Sequence, residues 1–149
     1  MKTLSPLIFA IAVATSMANS ASAYQFSPPN APATLKGTLT YNPNYGQHTQ
    51  PFTCKTALRI KTFGGDAKVK TIILPDGDCE GLFFEGFPWS IEITGPNSGT
   101  IGPVDYSSSD GSCGCQVQFQ VNSHGIWTFS DGQGMSGRLK SNPPVTIVP

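Results

Sequence analysis

From Thr34 onward the chain keeps returning to a two-residue rhythm, and no other feature narrows its fold so far. Leu35, Gly37, Leu39 and Tyr41 alternate with Thr34, Lys36, Thr38 and Thr40. Successive side chains of an extended chain point to opposite faces, so this alternation marks strands with one face in a core and one in water. Cys54, Thr56, Leu58 and Ile60 alternate in the same way with Lys55, Ala57, Arg59 and Lys61. After the turn Gly64-Gly65-Asp66, the residues Ala67, Val69, Thr71 and Ile73 oppose Lys68 and Lys70, which predicts a hairpin. Further runs follow at Trp89–Thr94, Thr100–Tyr106, Val117–Val121, Ile126–Ser130, Met135–Lys140 and Val145–Val148. Pro103 places its run at an edge or a bulge, because proline has no N–H for a central ladder. The 16 glycines and 13 prolines are concentrated in the breaks between runs. No window after residue 23 has a helical period. About eight or nine short strands predict an all-β fold, an antiparallel, Greek-key-like sandwich in a single domain over 24–149.

The first 23 residues stand apart. Lys2 is a positive head, Leu7–Ala14 is apolar, and Ala21-Ser22-Ala23 supplies the small residues of a cleavage site. This predicts a signal peptide cut before Tyr24. The apolar run is well short of the roughly 20 residues that span a bilayer, so no transmembrane segment is expected after cleavage. The expected location is secreted, periplasmic or at the outer surface of a bacterial cell. Four cysteines in an exported chain predict two disulfides. Cys54 with Cys79 and Cys113 with Cys115 is the first choice. An extended Cys-x-Cys holds its Cα atoms about 6.5–7 Å apart, at the limit of bridging, so Cys54 with Cys113 or Cys115 is the rival.

Composition excludes more chemistry than it offers. Charged residues make up 12%, with nine basic and nine acidic groups. Zero net charge argues against nucleic acid or an anionic membrane as the main partner, since both reward clustered cations. His48 and His124 fall in turn-like segments with no Gly-x-Ser-x-Gly elbow beside them. Asp76, Asp78 and Glu80 alternate like a calcium loop but lack its distal ligand, and read as a solvated turn. Asp105 and Asp110 also read as turn residues. Cys113-Gly114-Cys115 is one close pair, where zinc usually takes two. No catalytic, cofactor-binding or metal-binding residue is expected, and the chain reads as a non-enzyme. The unusual segment is Phe83-Phe84-Glu85-Gly86-Phe87-Pro88-Trp89. Trp89 opens a strand and belongs to the core. Phe84 or Phe87 is expected to be exposed and to touch a hydrophobic surface.

The order of short motifs resembles a known family. Phe26-Ser-Pro28, Phe52-Thr-Cys54, Asp78-Cys79, Gly86-Phe-Pro-Trp89, Gly99-Thr-Ile101, Gly111-Ser-Cys113-Gly114, Ser136-Gly-Arg-Leu139 and Pro144-Val-Thr-Ile147 together are similar to the small exported bacterial alkane-oxidation activators of the PraB type. The chain departs from that pattern at Gly132-Gln-Gly-Met135, where the family carries a cysteine, and has Cys115 instead. The resemblance implies a non-enzymatic accessory protein that assists growth on long-chain alkanes at the hydrocarbon–water interface. Its partners would be hydrocarbon or a cell-surface component. The residues themselves also allow a secreted carbohydrate-binding or adhesive sandwich module.

Overall fold

The computed structural model describes residues 24–43, 51–75, 79–109, 111–130 and 134–149. The expected signal peptide, His48, Asp76, Asp78, Asp110 and the expected turn at Asp131-Gly132 lie outside them. The described residues form eleven strands and no helix, as the two-residue rhythm predicts. These are β1 (Gln25–Ser27), β2 (Pro32–Tyr41), β3 (Phe52–Phe63), β4 (Asp66–Ile73), β5 (Phe83–Glu85), β6 (Trp89–Gly95), β7 (Ser98–Ser108), β8 (Gly111–Val121), β9 (Ile126–Phe129), β10 (Met135–Asn142) and β11 (Thr146–Val148).

The sheet corrects the expected sandwich. β2, β3, β4, β6, β7, β8, β9 and β10 pair in sequence order, each antiparallel to the next, and β10 returns to pair with β2. The result is a closed eight-stranded, up-and-down barrel, and its path is a meander rather than a Greek key. An apolar sheet face must be covered, and a sheet that curls until its first and last strands meet covers its own. The closing seam runs from Met135↔Tyr41 to Asn142↔Thr34. Gly37 and Gly137 let it bend: a Cβ at either would strike a carbonyl oxygen of the other strand, that of Arg138 or of Thr38. Among the described residues, closure leaves no long edge open to pairing with another chain.

Two bulges change which residues face inward. Ile60 pairs with Val69 but Arg59 pairs with Thr71, so Lys70 is extra. Beyond it the parity flips, and Ile72 packs on the core while Ile73 turns outward. On β7 the irregularity falls between Ile101 and Val104, and both of those side chains are fully buried. Pro103 sits inside that bulge, where no ladder N–H is required. Ahead of β2, β1 pairs with β11 as a separate ribbon. Phe26 of this ribbon stacks on Trp127 at 6.1 Å between ring centres and plugs the end of the barrel next to the β3–β4 turn. Trp127 donates its indole N–H to the Val145 carbonyl at 3.1 Å. Among the described residues no buried side-chain polar atom lacks a partner.

Candidate functional site

The opposite end of the barrel is built around β5. β6 accompanies β7 only as far as Ile101, and β5 takes the same edge further along, with Phe84 opposite Tyr106. Gly86, at φ 78°, and the Trp89 indole N–H, which donates to the Glu85 carbonyl at 2.8 Å, turn the chain from β5 into β6. The segment Phe83–Pro88 is therefore a short strand and a tight turn. Residues alternate along it: Leu82 and Phe84 face the interior, Phe83 and Glu85 face water.

Phe84 and Phe87 are both half-buried, which corrects the expectation that one of them is substantially exposed. Phe84 meets the edges of Tyr41 at 5.5 Å and lies 5.9 Å from Tyr106. Phe87 stacks on Trp89 at 4.6 Å. The aromatic side chain left outside is Phe83, 68% exposed and the most exposed of the large apolar residues described. Sequence reasoning missed it, although one signal was present. Glu85 must reach water, and in an extended segment Phe83 shares its face.

Beneath Phe84 the buried polar groups are paired. The Tyr41 hydroxyl and the Thr56 hydroxyl are 2.9 Å apart. The Tyr106 hydroxyl donates to the Gly134 carbonyl. Burial pushes both phenols above the ordinary tyrosine range, so they stay neutral. Neither is poised as an acid or base near neutral pH. The disulfides fasten the same end. Cys79 is joined to Cys54 on β3, and Cys113 to Cys115 within β8. Both cysteines of β8 face inward with Val117 and Phe119.

Other sequence candidates lie apart from this end. His124 is exposed in a turn where Asn122 Oδ1 accepts from the backbone N–H of His124 and Ile126. Asp105, expected in a turn, is in β7 opposite Glu85. Glu80 is exposed beside Cys79. Among the described residues there is no group of three or more His, Cys, Asp or Glu able to hold a metal ion, and no helix long and apolar enough to cross a membrane. What the barrel end presents is one exposed phenyl ring on a strand braced by an aromatic cluster.

A family model described as alkane oxidation protein activator PraA/PraB-like matches residues 1–149. No curated protein and no solved structure matches the chain.

Proposed function

Since the chain belongs to the PraA/PraB-like family of alkane oxidation protein activators, we propose that it is an exported, non-enzymatic accessory protein whose β5 end contacts liquid hydrocarbon. The observation that carries this reading is Phe83. A 68% exposed phenylalanine on a short strand gains free energy by leaving water. Phe84, packed behind it against Tyr41 and Tyr106, holds the strand so that contact need not disorder the fold. The family name points to assistance rather than to chemistry on the alkane itself. Export fits the two disulfides, which persist in oxidising compartments.

A deletion strain tests the reading. Growth on a long-chain alkane should slow while growth on a soluble carbon source stays normal. The full-length gene should restore growth on alkane, and the Phe83→Ser form should restore it poorly. Equal growth of the deletion strain and its parent on alkane would overturn the proposal.

A further inference from the structure

The zero net charge of the chain conceals a sorted surface. Nine lysines and arginines are present, and Lys2 is the only one before residue 24. The other eight, Lys36, Lys55, Arg59, Lys61, Lys68, Lys70, Arg138 and Lys140, all lie on β10, β2, β3 and β4. These four strands are consecutive neighbours around the barrel. Asp66, at the start of β4, is the one carboxylate on them. Of the strand-borne acids, Glu85, Glu92 and Asp105 lie on β5, β6 and β7. The half-barrel of β6 to β9 carries no cation at all, and the outward row of β8 is Gln116, Gln118 and Gln120.

Two further observations say what kind of partner this wall suits. Lys36 stands directly opposite Lys140, and Lys61 directly opposite Lys68. Like charges facing each other across a ladder weaken a sheet, so solubility alone gives no reason to put them there. In addition, two of the three exposed large apolar side chains, Phe63 and Ile73, are on the same four strands. Phe63 ends β3 at the β3–β4 turn, with the Lys61 ammonium 5.2 Å and the Lys70 ammonium 5.9 Å from its ring centre. Near Ile73, a groove of about 510 Å³ is lined by Ala57, Ile73 and Pro75 together with Lys36, Lys55 and Arg59.

We infer that the β10-β2-β3-β4 wall is a docking face for a membrane surface bearing anionic lipid headgroups. A sheet of acidic headgroups over hydrocarbon matches both components of the face: the spread of cations and the apolar tips among them. Nucleic acids and acidic polysaccharides supply the charge but give Phe63 and Ile73 no apolar phase to enter. Net charge averages over a surface that the fold divides, so a neutral chain still presents a cationic wall. This inference does not rest on the hydrocarbon reading, which concerns Phe83.

The test is co-sedimentation of the exported protein with vesicles of phosphatidylcholine containing phosphatidylglycerol, and with vesicles of phosphatidylcholine alone. The protein should sediment with the first and stay in solution with the second. Added salt should release it, because exposed charges are screened within a Debye length of about 10 Å at 0.1 M. The outward pairs Lys36→Gln with Lys140→Gln, and Lys61→Gln with Lys68→Gln, should each weaken binding on the order of tenfold or more. Phe63→Ser should weaken it while leaving the salt dependence unchanged. The salt titration of the unaltered protein stands independently of whether any variant folds. Equal sedimentation with both vesicle types, or with neither, would overturn the inference. Tighter binding to heparin or duplex DNA than to the acidic vesicles would also overturn it, by placing a soluble polyanion on the face.

Discussion

Neighbouring phenylalanines on β5 have opposite fates. Phe83 points into water and Phe84 into a cluster with Tyr41, Tyr106 and Trp89. Phe83→Ser should change unfolding free energy by no more than about 0.5 kcal/mol, as ordinary surface substitutions do. Phe84→Ala should cost roughly 2 kcal/mol, below the roughly 3–5 kcal/mol of a fully buried ring because Phe84 is half-buried. Urea titration of the two variants checks the contrast, and equal losses would contradict the assigned directions. Gly134 shows a second residue-scale constraint. A Cβ built there would lie 2.5 Å from the Cys113 sulfur and 2.7 Å from that of Cys115. Gly134 thus lies directly against the Cys113–Cys115 bridge, which leaves no room for a side chain there.

At the scale of elements, what was legible followed from periodicity, and what was not followed from departures from it. The alternation in β2, β3, β6 and β8 places the inward residues correctly. Thr71 and Ile73 were expected to face inward with Val69, but the extra Lys70 reverses them. A bulge adds one residue without a local sequence signature strong enough to announce it. At Pro103 there was such a signature, and the bulge is there. β1 and β5 have only three residues each, too few to display a period. Both owe their form to partners distant in sequence, Val148–Thr146 and Ser107–Asp105. The β1–β11 ribbon is a plug as well as an edge, because Phe26 is fully buried against Trp127. Phe26→Ala should therefore destabilise the protein by about 3–5 kcal/mol. Equilibrium unfolding followed by tryptophan fluorescence would show it, and a loss below about 1 kcal/mol would mean that the ribbon does not seal the barrel.

For the whole molecule, the strands predicted an all-β domain but not how its sheet is completed. Alternation reports that one face is buried without saying whether a second sheet or the same sheet covers it. The deciding contact joins β2 to β10, about a hundred positions apart, and local pattern does not encode it. Sorting of charge is invisible for the same reason: Lys36 and Lys140 become neighbours only when the barrel closes. Closure also gives the molecule two separate outer regions, the cationic wall and the β5 end with Phe83. Hydrocarbon contact is proposed for the latter. The most direct test is the interfacial tension of a hexadecane droplet in a solution of the exported protein, measured for the unaltered chain, Phe83→Ser and the Lys36→Gln, Lys140→Gln double variant. The unaltered chain and the lysine variant should lower the tension alike, and Phe83→Ser should lower it much less; a tension unchanged from buffer with the unaltered chain, or equal lowering by Phe83→Ser, would rule out hydrocarbon contact through Phe83.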